Sequence, residues 1–226
     1  MNAAKKRNID KIIHTSTSEI YGSALFVPMT EKHPINAQSP YAASKVASDQ
    51  LAVSFYKSFN TPVSIVRPFN TYGPRQSLRA IIPTIITQIL DNNKKHINIG
   101  NVKVTRDFNY ISDIVEGFVK TIKAKKILGE AINIGSGYQI SILKLVEIIC
   151  KIIGNKKKIV IEKKRVRNPN TEVTKLCASN KKAKNLLNWE PTYKSKNGLI
   201  EGLKTTIKWY EKPENLKKFK THFYNI

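Results

Sequence analysis

A tyrosine and a lysine stand four residues apart in the segment YAASK, as Tyr41 and Lys45. The surrounding residues are typical of a helix, and this spacing puts both side chains on one helix face. An ammonium beside a phenol stabilises the phenolate and lowers a pKa that is ordinarily about 10, which equips Tyr41 to act as a base. The alternative for the pair alone is a partly exposed tyrosine beside a surface lysine, so the neighbouring residues must decide.

Hydroxyl groups and one carboxylate follow the apolar run KIIHTS, in the segment TSTSE that ends at Glu19. The run predicts a buried strand, and polar groups at the carboxyl end of a strand lie where open α/β folds bind ligands. The proline-containing strand end VRPFNTYGP comes after the predicted Tyr41 helix. Because these two strand ends and the start of the Tyr41 helix converge on one edge of a sheet, their residues predict a single site.

Short β-branched runs alternate with longer amphipathic segments along the chain: KIIHTS, YAASKVASDQLAVSFYKSF, PVSIVRP, AIIPTIITQILDNN, AINIG and ISILKLVEIICKII. This alternation predicts an α/β fold built from βα units around a mainly parallel sheet. After about residue 155 the order changes to a strand in KKIVIEK, a short helix in SNKKAKNLLNW and a terminal helix in SKNGLIEGLKTTIKWYEK. We therefore expect a smaller second lobe that shares an interface with the first.

Composition and charge restrict the class of protein. The 226 residues are 41% apolar, which is enough for a core, and carry a formal charge of +23. Only seven of the 39 basic residues are arginine, and the lysines lie on predicted helix surfaces without aromatic platforms, so we expect no nucleic-acid binding. The two cysteines are isolated, which favours a cytoplasmic protein without a metal site or disulfide. The chain has no apolar run of about 18 residues and no leader pattern, so we expect no membrane span.

Six segments resemble motifs of the extended short-chain dehydrogenase/reductase family: HTSTSEIYG, SPYAASK, VRPFNTYGPRQ, RDFNYISDI, INIGSG and NWEP. The resemblance is strongest for its nucleotide-sugar 4,6-dehydratases and epimerases. STSE with IYG, and NTYGPRQSLRAIIPTIITQI, are most similar to dehydratases of N-acetylglucosamine nucleotides on the route to legionaminic acid. The family implies the carboxyl-terminal part of a doubly wound Rossmann-type parallel sheet at 1–125 and a mainly substrate-binding α/β lobe at 126–226, with the lobes interleaved.

The resemblance implies a catalytic role for each residue around the predicted strand end. Thr17 hydrogen-bonds the sugar 4-hydroxyl, Tyr41 takes its proton, and Lys45 holds Tyr41 and the nicotinamide ribose while hydride passes to NAD. Glu19 matches the family's base, which removes the proton at sugar carbon 5 before the 6-hydroxyl leaves as water. An epimerase needs no such carboxylate, so Glu19 separates the two activities. Ser18 stands where some dehydratases have an aspartic acid, so either Glu19 makes both proton transfers or a water assists.

The resemblance also implies contacts with the cofactor and with a second subunit. It places Ser16 and Pro68 at the NAD cofactor, together with Tyr41 and Lys45. Members of the family commonly pair through the helix that carries the tyrosine, so a homodimer is expected. The nucleotide of the substrate, uridine or guanosine, stays open.

Arginine is the residue expected to bind the diphosphate of a nucleotide sugar, because its planar fork pairs with phosphate through two parallel hydrogen bonds. Asn70, Arg106 and Arg165 match family positions that reach the diphosphate. Arg75 and Arg79 flank the same mouth with less defined roles. The alternative for each arginine is a surface salt bridge. The segment AIIPTII corresponds to the nucleobase slot in the family, and is otherwise only an apolar helix start.

The beginning of the chain lacks a motif that this architecture requires. A nicotinamide enzyme of this kind opens with a strand, a glycine-rich loop for the pyrophosphate and an acidic residue about 20 positions further on. Nothing of that kind precedes KIIHTS, and MNAAKKRNID resembles the end of a helix. We therefore expect the chain to begin in mid-domain and to bind no NAD by itself. It is then a fragment of a dehydratase, a half that needs a complementing N-terminal half, or a relic that binds a sugar nucleotide without turnover.

Overall fold

The computed structural model describes residues 1–7 and 9–217. The strands in this part of the chain are β1 (Ile12–Thr15), β2 (Val63–Pro68), β3 (Asn70–Tyr72), β4 (His96–Ile99), β5 (Thr105–Tyr110), β6 (Ala131–Ile134), β7 (Gln139–Ser141) and β8 (Lys158–Ile161). The helices are α1 (Asn2–Lys5), α2 (Pro40–Phe59), α3 (Ile81–Leu90), α4 (Ile111–Lys123), α5 (Ile142–Ile153), α6 (Lys181–Leu187), α7 (Ser195–Tyr210) and α8 (Pro213–Leu216). Two short 3₁₀ turns span Ser18–Tyr21 and Lys163–Arg165.

A parallel sheet in the order β1–β2–β6 carries the predicted site. Its runs of isoleucine and valine suit strands that are covered on both faces, and β2 is buried along nearly its whole length. Thr15 lies opposite Val66, and Arg67 lies opposite Asn133. The carboxyl ends of the three strands therefore meet at one edge of the sheet.

Helix α2 connects β1 to β2 and begins near that edge. The Ser39 hydroxyl caps the helix by accepting a hydrogen bond from the amide of Ala42 (3.1 Å), and Pro40 occupies the first turn, where its missing N–H is not needed. The helix ends at Asn60, which adopts the left-handed conformation (φ 52°). Tyr41 and Lys45 are thus fixed in the first turns, close to the loop that follows β1.

Two smaller sheets form the other side of the site. In the sheet β3–β5–β7, β5 pairs parallel with β3 and antiparallel with β7, and β4 pairs parallel with β8. Helices α3, α5 and α7 pack on one another around a cluster of buried apolar side chains that includes Ile85, Ile86, Leu145, Ile149 and Leu203. This cluster gives β3, β5 and the start of α3 a rigid support.

The predicted α/β fold class with parallel sheets is confirmed, and each predicted run contains a strand or helix. The apolar runs do not predict β3, β4, β5 or β7, which are short or polar. The short strand β7 lies between the GSG turn at 135–137 and α5. Within MNAAKKRNID the helix covers Asn2–Lys5, and Asn8 is outside the described residues. The division near residue 125 stays a prediction, and 218–226 fall outside the described residues. Among the described residues, no helix has the length and apolarity needed to cross a membrane.

Candidate active site at the carboxyl ends of the parallel strands

The segment after β1 turns sharply and presents its polar side chains at the sheet edge. The Thr17 hydroxyl caps the 3₁₀ turn by accepting a hydrogen bond from the amide of Glu19 (3.2 Å). Ser18 is buried, whereas Glu19 is only partly buried. Gly22 ends the turn at φ 64°, and a Cβ there would lie 2.3 Å from the carbonyl oxygen of Asn36. Only glycine fits this position, so the local sequence determines where Thr17 and Glu19 lie.

Tyr41 and Lys45 lie beside the same segment. The Lys45 ammonium donates a hydrogen bond to the carbonyl oxygen of Thr15 (3.1 Å), the last residue of β1. An ammonium has three donors, so Lys45 keeps donors for a ligand hydroxyl. Tyr41 is 52% exposed, which leaves its ring open to a bound molecule. Lys45 is therefore held at the carboxyl end of β1, and Tyr41 lies one helical turn before it on α2.

Ser16 and Pro68, the two other residues assigned to the cofactor, differ in burial. The Ser16 hydroxyl is buried and donates a hydrogen bond to Asp49 Oδ2 (2.9 Å), a carboxylate to which the sequence analysis gave no role. Pro68 ends β2 and is partly buried. Asp49 stands one helical turn after Lys45, on the same helix face. This spacing is the sequence pattern that could have identified Asp49 as part of the site.

A cavity of about 280 Å³ opens next to the Glu19 turn. Five residues predicted for the site line it: Glu19, Asn70, Arg79, Arg106 and Arg165. They come from the turn after β1, from β3, from the loop before α3, from β5 and from the second 3₁₀ turn. The structure thus gathers a carboxylate, an amide and three guanidinium groups that are far apart in the sequence.

The remaining predicted residues lie outside the lining of this cavity. Arg75 is exposed and adopts a left-handed conformation (φ 67°). The catalytic candidates Thr17, Ser18, Tyr41 and Lys45 border the edge of β1 instead. The cavity and this edge meet at Glu19, which belongs to both.

Arg106 is the most enclosed of the three guanidinium groups. Its Nη1 donates to the Thr105 carbonyl oxygen (2.9 Å), and its Nη2 lies 3.6 Å from a carboxylate oxygen of Glu172. Burial lowers the pKa of Arg106, while the carboxylates of Glu172 and Glu19 favour its charged form. Arg165 forms an ion pair with Glu162, whose pKa is lowered by hydrogen bonds from Lys164 and Arg165.

Asp107 holds Arg106 and its strand in place. Its buried carboxylate accepts hydrogen bonds from the amides of Ser136 (3.1 Å), Gly137 (3.0 Å) and Ala178 (2.9 Å). Burial raises the pKa of this carboxyl group, and the hydrogen bonds oppose that rise. The RDF motif and the GSG turn are therefore joined by one carboxylate, which fixes the wall from which Arg106 projects.

The cavity contains hydrogen-bond acceptors that no donor satisfies among residues 1–7 and 9–217. Asn70 Oδ1 and Gln76 Oε1 are buried without such a partner, although Gln76 Nε2 donates to the Thr71 carbonyl oxygen (2.7 Å). Buried acceptors of this kind can take hydrogen bonds from a ligand or from water. Apolar residues at the start of α3, Ile81 and Ile82, also line the cavity.

Three further polar residues without a role predicted from the sequence also line the cavity: Gln76, Arg167 and Glu172. Arg167 is signalled by its position two residues after Arg165 in an arginine-poor chain. Glu172 and Gln76 stand in segments without a distinctive pattern. Together the lining groups suit a ligand that has an anionic part for the arginines, hydroxyls for Asn70 and Gln76, and an acidic proton within reach of Glu19.

Comparison with known proteins gives one matching family and many relatives. The sequence profile described as GDP-mannose 4,6 dehydratase matches residues 1–201. The dTDP-D-glucose 4,6-dehydratase of Homo sapiens is 32% identical over 222 residues, which are 97% of this chain and 61% of that protein. A putative UDP-glucose 4-epimerase of Methanocaldococcus jannaschii is 31% identical, over 91% of this chain and 64% of that protein. The chain thus spans about three fifths of the length of these curated relatives.

Solved structures with the same fold include enzymes of both kinds. UDP-glucuronic acid 4-epimerase from Bacillus cereus, in complex with UDP-glucuronic acid and NAD, superposes with a TM-score of 0.83 at 34% identity. The match covers 92% of this chain and 63% of that one. dTDP-glucose 4,6-dehydratase from Bacillus anthracis, in complex with NAD, gives a TM-score of 0.80 at 30% identity, over 90% of this chain and 62% of that one.

Proposed function

Since the chain belongs to the GDP-mannose 4,6-dehydratase family of the extended short-chain dehydrogenases/reductases, we propose that it is the catalytic and substrate-binding portion of an NAD-dependent nucleotide-sugar 4,6-dehydratase. The substrate is UDP- or GDP-N-acetylglucosamine. The observation that carries this proposal is the position of Glu19, which lines the same cavity as Arg106 and Arg165. A base for sugar carbon 5 and cations for a diphosphate are thus in one enclosure.

The residues at the end of β1 fit the nicotinamide end of NAD. Lys45 has ammonium donors left for ribose hydroxyls, and Tyr41 is exposed beside it. The chemistry that bound NAD would supply is reversible hydride transfer, from sugar carbon 4 and later to carbon 6. Tyr41 Oη accepts the proton of the sugar 4-hydroxyl, with Lys45 stabilising the phenolate and Thr17 orienting the hydroxyl. Glu19 then removes the proton at carbon 5, which the neighbouring ketone makes acidic, and the 6-hydroxyl departs as water after taking a proton from the Glu19 carboxylic acid or from a bound water. Carbon 5 takes a proton from solvent when hydride reaches carbon 6.

A 4-epimerase is the second candidate, and Ser18 favours it. This buried serine stands where some dehydratases of the family have an aspartic acid that protonates the leaving hydroxyl. An epimerase needs neither that acid nor a base at carbon 5. The dehydratase is preferred because Glu19 has a carboxylate in the substrate cavity that epimerisation leaves without a task.

The proposed assay combines the chain with the dinucleotide-binding segment of a relative, such as the B. cereus epimerase, added as a separate polypeptide or joined to the N-terminus. We call this combination the complemented enzyme. With UDP- or GDP-N-acetylglucosamine in deuterated water, a dehydratase forms a 4-keto-6-deoxy sugar with deuterium at carbon 5. An epimerase forms the C4 epimer with carbon 5 unlabelled. An epimer as the only product would refute the dehydratase.

We also propose that the protein is cytoplasmic and pairs as a homodimer through α2. The apolar side chains of Leu51 and Phe59 on this helix are 55% and 49% exposed, which a partner helix would cover. We propose a complementing N-terminal half because the 226 residues contain no glycine-rich loop that could hold the pyrophosphate of NAD.

A further inference from the structure

A buried carboxylate on α2 joins this helix to β1. Asp49 is 0% exposed, and its Oδ2 accepts a hydrogen bond from the Ser16 hydroxyl (2.9 Å). Its Oδ1 lies 3.1 Å from His14 Nε2. Between these two contacts, the Thr15 carbonyl oxygen accepts the hydrogen bond from Lys45. Three consecutive residues at the end of β1 are therefore held by one face of α2.

A buried guanidinium on β2 joins Asp49 to the turn that carries Glu19. Arg67 donates to Asp49 Oδ2 through Nε (3.2 Å) and Nη2 (3.1 Å). Its Nη1 donates to the phenol oxygen of Tyr21 (2.9 Å), whose hydroxyl donates in turn to Asn133 Oδ1 on β6 (2.8 Å). Tyr21 is the last residue of the 3₁₀ turn that begins at Ser18 and contains Glu19.

We propose that Asp49 and Arg67 are positioning residues that fix the distance between the Tyr41–Lys45 face of α2 and the Thr17–Glu19 segment. Asp49 sits one helical turn after Lys45 and two turns after Tyr41, so it moves with them. Arg67 links it to Tyr21, two residues after Glu19. This proposal rests on the proposed function, since the two groups it connects are the proposed bases of the two proton transfers.

The shape of the arginine side chain allows Arg67 to link Asp49 to Tyr21. The planar guanidinium presents donors on two sides at once, so one side can pair with Asp49 while the other reaches Tyr21. A lysine has a single nitrogen and cannot span both partners. Buried ion pairs contribute little net stability, so a role in geometry explains this pair better than a role in folding.

The first test uses the 226-residue chain without cofactor. Tyr21→Phe keeps the ring packing and the Asp49–Arg67 pair but removes the hydroxyl that links Arg67 to the turn. Backbone hydrogen exchange measured by mass spectrometry should become at least about tenfold faster in peptides covering 16–22. The control is Ser64→Ala, which removes another buried hydroxyl of β2, bonded to the Ile127 carbonyl oxygen (2.8 Å). Unchanged exchange in 16–22, or equal acceleration by both variants, overturns the proposal.

The second test uses the complemented enzyme and separates positioning from general stability. In Tyr21→Phe and Arg67→Lys, NADH should accumulate during turnover because oxidation outpaces elimination, with kcat for product falling about tenfold or more and KM nearly unchanged. Should Arg67→Lys fail to fold, the double variant Asp49→Leu/Arg67→Met, which leaves no buried charge of the pair unpartnered, takes its place. A lower unfolding temperature with an unchanged NADH-to-product ratio overturns the proposal.

The two tests also distinguish this proposal from the proposed function. Local exchange in 16–22 reports the link in any case, because it needs no catalysis. If exchange responds but the complemented wild type forms no 4-keto-6-deoxy sugar, the link stands and the dehydratase is refuted. If the wild type is a dehydratase and exchange does not respond, the link is refuted alone.

Discussion

Replacement of Glu19 by glutamine should stop dehydration while leaving oxidation of the sugar intact. Glu19 lines the candidate cavity and is only partly buried, so the isosteric amide fits without disturbing the turn that Thr17 caps. Glutamine cannot accept a proton from carbon 5, and loss of a general base costs about 10²- to 10⁴-fold. That factor corresponds to about 3–5 kcal/mol in the barrier to water loss. The first hydride transfer depends on Tyr41 and Lys45 and should keep its rate.

The assay follows both steps in the complemented enzyme. NADH fluorescence in single turnover reports oxidation, and product released after quenching reports elimination. In Glu19→Gln, NADH should form at the wild-type rate and persist, with product formation reduced by the factor above. Glu116→Gln is the matched control, because Glu116 lies on α4, pairs with Lys120 and lies outside the cavity. Equal loss of NADH and product would refute the division of labour, and unchanged product formation would refute Glu19 as the base.

Three further outcomes are expected. Tyr41→Phe removes the acceptor for the 4-hydroxyl proton, so single-turnover NADH formation in the complemented enzyme should fall by about 10²-fold or more; substantial NADH would place the base elsewhere. Calorimetry of the 226-residue chain should detect no NAD binding, because its sequence supplies only the nicotinamide end of the site; micromolar binding would contradict this. Burial opposes ionisation of Asp49, yet hydrogen bonds from His14 and Ser16 and the charge of Arg67 outweigh it and lower its pKa. Its contribution to stability is therefore present above the unfolded pKa of about 3.9 and lost on acidification below it, so thermal unfolding of wild type should show a steeper acid loss than that of Asp49→Asn.

The sequence predicts those parts of the structure whose signals are local. Periodicity and β-branched runs locate β1, β2 and β6 with α2, α3, α5 and α7, because each of these elements has its own apolar pattern. Strands β3 and β7 have three residues each, too few for a pattern, and they form only because β5 pairs with them. Tertiary pairing thus determines elements that the local sequence leaves undefined.

Local sequence patterns likewise identify some residues of the candidate site, whereas other contacts in it form only in the folded chain. Spacing within one segment identifies Tyr41 with Lys45, and the motif-bearing arginines indicate an anionic ligand. No local pattern links Asp49 to Arg67 or Glu172 to Arg106, since each pair joins two separate elements. A charged residue inside an otherwise apolar strand, such as Arg67 in VSIVRP, does signal a buried partner, because a lone charge there would be too costly.

The carboxylates paired with the cavity arginines bear on how tightly a diphosphate binds. Arg106 faces Glu172, and Arg165 is paired with Glu162. A diphosphate that binds Arg106 and Arg165 therefore competes with their carboxylate partners, so the net gain in binding from these two residues is smaller than their charges suggest. Substrate and product of the proposed reaction carry the same diphosphate, so tight binding of that group would hold the product as firmly as the substrate. The arginine–carboxylate pairs weaken binding of the diphosphate in substrate and product alike. In the proposed reaction, weaker binding of this shared group favours release of the product.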